Sequence, residues 1–204
     1  MQHRVVNSLQ IIASILMLKA RSVTSEESRN HLRDAHQRVM SVAEVQSHLH
    51  ATSGVDQIAV GPYLTKLCNS LSSSMIAEGR PIVIVVEADD GLIGSDKAVS
   101  LGLIVTELVI NSIKYAFPDG RPDGRVTVSY ASEGDDWTLT VADNGVGLAP
   151  TAPPPLVGGL GTAIVEALVK QLGAQADVRP QPHMTVTIAR TAATAAATAA
   201  GQTG

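Results

Sequence analysis

The sequence has very few aromatic residues, and this scarcity narrows the functions that it can have. Phe, Trp and Tyr make up 2% of the 204 residues. Base stacking on aromatic side chains is therefore an unpromising way for this chain to bind single-stranded nucleic acid. The formal net charge of −4 also provides no broad basic face for a phosphate backbone. We expect no nucleic-acid partner, and a core filled by Val, Ile, Leu and Ala.

Cysteine and long hydrophobic runs are scarce as well. Cys68 is the single cysteine, which excludes an internal disulfide and fits a reducing compartment. Its surroundings, YLTKLCNSL, alternate like a helix face and predict a buried structural thiol. The apolar segment from Leu9 to Leu18 is too short to cross a bilayer and lacks a cleavage site. We expect no membrane span in this chain and a cytoplasmic location.

The first quarter of the chain predicts a helical hairpin. Residues 5–20 contain no Gly or Pro, and their apolar stripe is broad enough to be buried on more than one side. The polar stretch SVTSEES supplies Thr24 or Ser25 as an N-cap. A second helix of about residues 26–50 carries apolar positions at heptad spacing. One hairpin cannot cover so wide a face, so residues 1–53 predict a homodimer through a four-helix bundle.

The remainder predicts an α/β domain, so the fold class is α+β. Residues 54–61 predict a linker, residues 62–190 the domain, and the Ala/Thr-rich residues 191–204 a disordered tail. Alternating helices and antiparallel strands favour one sheet with helices on a single face. The predicted elements are helices at 62–78, 96–116 (capped by Ser95) and 160–172, strands PIVIVVEA, AQADVR and MTVTIA, and a hairpin of RVTVSYA and WTLTVAD.

The stretch TELVINSIKYAF, residues 106–117, places polar side chains on one face of a helix. Glu107, Asn111 and Lys114 are spaced by four and three residues. A carboxylate and an amide oxygen suit Mg²⁺, which takes few protein ligands together with phosphate oxygens. Lys114 adds a positive charge for phosphate. On spacing alone, a solvated stripe on an amphipathic helix is the favoured alternative.

Two glycine-containing stretches add to this pattern. In ADNGVGL, residues 142–148, Asp143 ends a strand and offers an acceptor to an amino group such as adenine N6, while Gly145 and Gly147 allow close backbone approach. Alone, this is a common turn sequence. In GGLG, Gly159 and Gly161 begin a helix whose free amides favour phosphate. GGLG fits neither a Walker loop nor a dinucleotide-binding fold.

Together the three stretches resemble the nucleotide site of the GHKL superfamily, which includes gyrase, Hsp90, MutL and histidine kinases. TELVINSIKYAF resembles the N box, DNGVG the first glycine box and GGLG the second, with LAPTAPPPLV as the ATP lid. The resemblance covers about residues 62–190 and implies a Bergerat-type α/β sandwich that binds ATP and Mg²⁺. It implies Asn111 and Glu107 as metal ligands and a nucleotide site of Asn111, Lys114, Tyr115, Asp143, Gly145, Gly147, Gly159, Leu160, Gly161 and Thr162.

The beginning of the sequence, HRVVNSLQIIASILMLKAR, resembles the phospho-acceptor helix of histidine kinases of the HWE and second HisKA groups. The resemblance implies that His3 accepts the γ-phosphoryl group, and that Asn7 orients water for dephosphorylating a partner. It also implies a response-regulator receiver domain as that partner. Since no sensor segment stands before His3, we expect either a truncated kinase core or input from a separate sensor protein.

Three hypotheses remain for the function. The first is an ATP-dependent protein-histidine autokinase in two-component signalling. The second is a phosphatase or phosphotransfer protein on the same scaffold, and the third is a non-catalytic nucleotide-binding dimerisation module. The remaining histidines, His183 among them, are interpreted as surface or bundle residues. His183 and Met184 stand where the resemblance has a Gly-Thr pair before the last strand.

Overall fold

The chain begins with a hairpin of two long helices. The computed structural model describes residues 3–51, 57–76, 81–118, 123–147 and 160–191. Helix α1 spans His3–Ser22 and helix α2 spans Glu26–Ala51. Between them, the backbone N–H of Ser28 donates to Ser25 Oγ at 3.3 Å, which confirms Ser25 as the predicted cap. Small side chains form the seam, because Ala13, Ala20 and Ala43 are all nearly inaccessible to solvent.

The hairpin leaves one apolar face of α1 uncovered. Ile11, Ile12, Ile15 and Leu18 are 60%, 46%, 52% and 64% exposed. Their side chains lie outside the α1–α2 seam. The broad apolar stripe predicted from the sequence is therefore present, and the described residues of a single chain cover only part of it.

The second part of the chain is an α/β domain built around a five-stranded sheet. Its elements are β1 Gln57–Ala59, α3 Val60–Met75, β2 Ile82–Ala88, β3 Leu92–Gly94, α4 Ser95–Asn111, a π-helical turn Ser112–Ala116, β4 Gly124–Glu133, β5 Asp136–Asp143, α5 Leu160–Gln171, β6 Gln175–Arg179 and β7 Thr185–Arg190. The strand order in the sheet is β2-β4-β5-β7-β6. Strand β2 pairs with β4 in parallel, and the other neighbouring strands are antiparallel. The predicted α+β class is confirmed.

The domain core is mainly aliphatic, as expected, and it also contains the aromatic residues Tyr63, Phe117, Tyr130 and Trp137. Its buried members come from α3, α4, α5 and alternate positions of the strands, among them Leu64, Leu101, Leu139 and Ile188. The predicted burial of Cys68 is confirmed, since it is 2% exposed. Burial raises the pKa of its thiol to about 12, so it stays protonated and unreactive at neutral pH.

Three local expectations were wrong. Residues 57–59, placed in the linker, form β1 and pair with β3, so that Ile58 lies opposite Ile93. Strand β2 runs parallel to β4, whereas only antiparallel strands were expected, because the long α4 crossover returns the chain in the same direction. Gly94 is the N-cap of α4 and Ser95 its first residue. The predicted end of this helix near residue 116 is confirmed, with residues 112–116 in π-helical rather than α-helical geometry.

The helix predicted at residues 96–116 is present and is more apolar than the expectation of no membrane span allowed. The segment Ser95–Ala116 has 22 residues and meets the length and composition of a membrane span, but 72% of its apolar window is buried inside the protein. Its apolar side chains pack against α3, α5 and the sheet. Burial of this kind is typical of the central helix of a globular domain.

The single tryptophan marks the end of the sheet where β5 begins. Trp137 stacks on Tyr130 with ring centroids 6.4 Å apart. Lys97 Nζ lies 4.5 Å from the centroid of the Trp137 ring and bonds to Tyr130 Oη at 3.1 Å. Burial lowers the pKa of Lys97 to about 8. This cluster closes the end of the sheet opposite Asp143.

Candidate functional site

A carboxylate lies inside the protein near the end of α4. Glu107 is 3% exposed, and its Oε1 lies 2.6 Å from Nε of Arg38 on α2. Its other oxygen, Oε2, is buried and accepts no hydrogen bond from the described residues. Burial raises the pKa of Glu107, although Arg38 acts in the opposite direction. A buried acceptor with unused capacity is what a cation or a donor ligand requires.

The end of α4 and the π-helical turn after it carry the rest of the predicted N box. Asn111, the last residue of α4, is half-buried. Lys114, in the π-helical turn, is half-buried and pairs with Asp34 of α2. Glu107 and Lys114 therefore lie on the side of the helix that contacts α2, as their spacing predicted. Tyr115 is 69% exposed. Wider turns of this kind are frequent at functional sites because they redirect side chains.

Asp143 ends β5 on the buried face of the sheet. Alternation along the strand gives Trp137, Leu139, Val141 and Asp143 the same inward direction. Asp143 is 6% exposed. Its Oδ2 accepts from Ser112 Oγ at 3.0 Å, and its Oδ1 from the Gly145 amide at 2.9 Å. Burial raises the pKa of Asp143, and these two hydrogen bonds, a third from the Met184 amide and the nearby His183 partly offset the rise.

The glycine loop after Asp143 packs tightly against two neighbours. The Val146 amide donates to the Ala116 carbonyl at 3.0 Å, and a Cβ on Gly145 would overlap the backbone of Ala116. Gly147 has φ +64°, and a Cβ there would lie 2.6 Å from the Pro180 carbonyl oxygen. Larger residues at either position would displace the loop from the end of α4.

His183 holds this loop from the side of β7. Its Nδ1–H donates to the Gly145 carbonyl at 2.7 Å. The sequence interpretation of His183 as a surface residue was incomplete. The side chain is exposed, but its hydrogen bond fixes the backbone of the glycine loop beside Asp143. The sheet order brings residues before β7 next to the end of β5, and no local pattern in the sequence reveals that neighbourhood.

The second predicted glycine stretch meets the N box at the start of α5. Gly161 is buried in the first turn of the helix. A Cβ there would collide with Glu107 and lie 2.9 Å from the guanidinium of Arg38. Thr162 is half-buried in the same turn. The start of α5 therefore lies next to Glu107, and the amides at a helix start favour phosphate.

Other predicted site residues fall outside what the structure describes. Gly159 and the lid stretch lie outside the described residues, as does the side chain of Leu160, the first residue of α5. His3 and Asn7 are helical in α1, four residues apart, and their side chains also lie outside the described part of the chain. Asp34, Arg38 and Ser112 were not among the predicted residues, although Ser112 directly follows Asn111 in the same motif.

The described residues do not by themselves provide a complete metal site. Within the described residues, no group of three or more His, Cys, Asp or Glu side chains could hold a metal ion. The unused Oε2 of Glu107 and the amide oxygen of Asn111, one turn further along α4, form an incomplete set of metal ligands, whereas the N–H groups of α5 can bind only anions. Mg²⁺ characteristically completes such a set with water and phosphate oxygens.

Two family models match the chain. One, described as histidine kinase, matches residues 1–75. The other, described as histidine kinase-, DNA gyrase B- and HSP90-like ATPase, matches residues 96–193. Together they span both the helical hairpin and the α/β domain.

Curated relatives and solved structures agree with these matches. The sensor histidine kinase PdtaS of Mycobacterium tuberculosis is 32% identical over 82% of this chain and 33% of its own length. Blue-light-activated histidine kinase 2 of Erythrobacter litoralis is 31% identical over 87% of this chain and 51% of its own length. The chain thus spans about a third to a half of these relatives.

Among solved structures, the histidine kinase domain of the Erythrobacter litoralis EL346 blue-light activated histidine kinase has a TM-score of 0.69 at 25% identity, covering 98% of this chain and 92% of that one. The Acinetobacter baumannii histidine kinase AdeS has a TM-score of 0.55 at 15% identity, covering 91% of this chain and 93% of that one. The second likeness concerns the fold alone.

Proposed function

Because the chain belongs to the histidine kinases, with a helical segment of that family followed by an ATPase domain of the gyrase B and HSP90 type, we propose that it is an ATP-dependent protein-histidine autokinase. In this proposal His3 accepts the phosphoryl group and passes it to an aspartate of a response-regulator receiver domain. A domain of this ATPase type binds ATP, and Mg²⁺ is part of the proposal.

The observation that supports the proposal most strongly is the buried carboxylate of Asp143. Asp143 lies on the core face of β5. It accepts one hydrogen bond from Ser112 of the N box and another from Gly145 of the glycine loop, so it connects the two segments. A carboxylate has about four acceptor positions, and the Ser112 hydroxyl and the Gly145 and Met184 amides use three of them here. The remaining position can accept from an exocyclic amino group such as that of adenine. A carboxylate buried at the end of a strand costs free energy, so a purely structural role does not explain why a charged residue stands there.

The remaining roles follow from charge and position. Glu107 and Asn111 would hold Mg²⁺, while Lys114 and the amides at the start of α5 would bind phosphate oxygens. Bound ATP would supply the γ-phosphoryl group, and the neutral imidazole of His3 would supply the lone pair that forms the N–P bond while the bond from the γ-phosphorus to the bridging oxygen breaks and ADP leaves. Catalysis in such a transfer is mainly positioning and charge neutralisation. Asn7, one helical turn after His3, is the proposed residue for dephosphorylation of the regulator.

A homodimer is part of the same proposal. The four exposed apolar residues of α1, from Ile11 to Leu18, supply the hydrophobic surface that a second hairpin would cover. A bundle of two hairpins would place two copies of His3 at the same end. It would also leave the outer helix faces available for a receiver domain.

Labelling with [γ-³²P]ATP and Mg²⁺ tests the proposed activity. We expect acid-labile, base-stable label on the wild-type protein and on His31→Ala, whose side chain is exposed on α2. We expect none on His3→Ala. Nucleotide binding without label would instead favour the non-catalytic dimerisation module, and neither binding nor label would favour the phosphatase or phosphotransfer hypothesis.

Calorimetry tests the nucleotide site separately. Asp143→Asn replaces one acceptor oxygen by a donor and removes the charge, so we expect at least a tenfold loss of ATP affinity, in line with about 1.5–3 kcal/mol for a charged hydrogen bond. Asp136→Asn, at the other end of the same strand, is the matched control and should bind as the wild type does. Equal affinities in the two variants would contradict the assignment of Asp143.

A further inference from the structure

Helix α2 meets the nucleotide site with two charged side chains of opposite sign. Arg38 pairs with Glu107 and Asp34 pairs with Lys114. The two α2 residues are four positions apart, so they project from the same face of the helix. The Arg38–Glu107 pair is the more buried, with side-chain exposures of 22% and 4%, while those of Lys114 and Asp34 are 26% and 32%.

These α2 residues reproduce the charges of the proposed ligand. Glu107 is a proposed ligand of Mg²⁺, and in the structure a guanidinium cation lies against it. Lys114 is a proposed partner of phosphate, and in the structure a carboxylate lies against it. The guanidinium of Arg38 also reaches to 2.9 Å from the position of a Cβ on Gly161, at the start of α5. The guanidinium group of Arg38 thus lies between the N box and the second glycine stretch.

We propose that α2 is an autoinhibitory element, which occupies the N-box charges in the nucleotide-free protein and competes with Mg–ATP for them. This inference rests on the proposed function, since it takes Glu107 and Lys114 to be ligands of Mg–ATP. It adds that the hairpin and the nucleotide exclude each other at these two residues. Binding of ATP then releases α2 from the ATP-binding domain, and α2 docking expels ATP.

Simple electrostatics explains why the two occupants exclude each other. A divalent cation on Glu107 would repel the Arg38 guanidinium at a separation of a few ångströms, in a site shielded from water. Phosphate oxygens at Lys114 would repel the Asp34 carboxylate in the same way. A shift of α2 away from the site relieves both repulsions together, because both residues belong to one helix face.

The competition is thermodynamically reciprocal. If docked α2 lowers the affinity for Mg–ATP by some factor, bound Mg–ATP weakens α2 docking by the same factor. Coupling of this kind is usually worth about 5- to 150-fold. Substitutions of Asp34 or Arg38 that weaken α2 docking should therefore tighten nucleotide binding, although neither residue belongs to the ATP-binding domain.

Calorimetry with Mg²⁺ and a non-hydrolysable ATP analogue tests the inference on the full chain. We expect Asp34→Asn and Arg38→Gln each to bind the analogue more tightly than the wild type, and the double variant about tenfold more tightly. Arg29→Gln is the matched control, since Arg29 pairs with Glu26 within α2 and contacts no N-box residue that the structure describes. It should bind as the wild type does.

A second readout guards against misfolding of Arg38→Gln, which leaves Glu107 buried without its cation. Asp34→Asn keeps the Arg38–Glu107 pair, so tighter binding by this variant supports the inference by itself. In the wild type, the analogue should also speed hydrogen exchange of backbone amides in α2. The Arg29→Gln protein should show the same acceleration.

The outcomes separate this inference from the proposed function. Binding of equal strength in all variants would overturn the competition and leave the proposed function standing. Weaker binding by Arg38→Gln and Asp34→Asn would also overturn it, because these residues would then be ligands of the nucleotide rather than its competitors. If no variant and no wild-type protein binds the analogue, the proposed function fails and this inference fails with it.

Discussion

At the scale of single residues, the site consists of charges that the folded protein holds away from water. Asp143 and Glu107 are carboxylic acids whose pKa values are raised by burial. Each is easier to protonate in the folded state than in the unfolded chain. These groups therefore lower the stability of the free protein at neutral pH, and a function that needs the charge is the physical reason to keep them.

This leads to a prediction about pH. The folded state retains the Asp143 proton at pH values where the unfolded chain, with an ordinary pKa of about 4, has lost it. The free energy of unfolding should thus fall as pH rises from about 4 through the raised pKa. Asp143→Asn does not titrate, so its stability relative to the wild type should increase with pH by about 1.4 kcal/mol for each unit of pKa rise.

Urea unfolding of the nucleotide-free proteins at several pH values between about 4 and 8 measures this difference. Comparing the variant with the wild type at each pH cancels the titration of the other groups that the two proteins share. A difference that stays constant over the whole range would contradict the prediction.

The glycine loop offers a second prediction. Gly145→Ala places a methyl group against the backbone of Ala116, so we expect a loss of about 1–3 kcal/mol in the free energy of unfolding and weaker nucleotide binding. Gly61→Ala is the control, because its nearest neighbour would lie 3.7 Å away. It should change stability by less than about 0.5 kcal/mol. Wild-type stability and affinity in Gly145→Ala would show that the loop is free to move.

The sequence identified part of this site for physical reasons. Spacing on one helix is enough to bring Glu107 and Lys114 to a common side, and strand alternation is enough to turn Asp143 inward. Arg38 and His183 could not be found in this way. Their positions depend on how α2 packs against α4, and on which strands are neighbours in the sheet, and both are properties of the tertiary fold.

At the scale of elements, α1 carries the prediction that is simplest to test. We expect Ile11→Asp combined with Ile15→Asp to convert a dimer into a monomer, because the two charges lie one turn apart on the exposed apolar face. Light scattering coupled to gel filtration measures the mass. Leu92→Asp, at a residue of β3 that is 60% exposed, is the control and should remain dimeric. A monomeric wild-type protein would contradict the expected bundle.

Most element types could be predicted, whereas several boundaries and directions could not. The β-branched runs and the polar turn between β4 and β5 are local signals, and they identified the sheet strands correctly. Strand β1 has three residues and forms only because β3 is available as a partner. The parallel direction of β2 depends on a crossover through α4, which no pattern within β2 specifies.

At the scale of the whole molecule, the helical hairpin and the α/β domain differ in how large a hydrophobic core each contains. Every buried member of the hydrophobic cluster lies between Val60 and Ile188. We therefore expect a fragment of residues 57–191 to fold cooperatively, and a fragment of residues 1–53 to be helical only when associated. Circular dichroism during thermal unfolding measures both, at two or more concentrations for the second fragment.

The thiol of Cys68 provides an independent check on that prediction. It is buried, with a pKa raised to about 12, so a thiol reagent should modify it only after the domain unfolds. Protection equal to that of the full chain is expected for the fragment of residues 57–191. Rapid modification under native conditions would show that the domain needs the hairpin in order to fold.

The stacked position of the single tryptophan has a practical consequence for anyone who studies this protein by optical spectroscopy. Trp137 and Asp143 are six residues apart on one strand, a distance of about 20 Å. The fluorescence emission of Trp137 depends on the groups that lie against its ring, which are the ammonium group of Lys97 and the phenol ring of Tyr130. Intrinsic fluorescence will follow denaturation well and will be nearly silent when a nucleotide is titrated, so that measurement calls for an extrinsic dye.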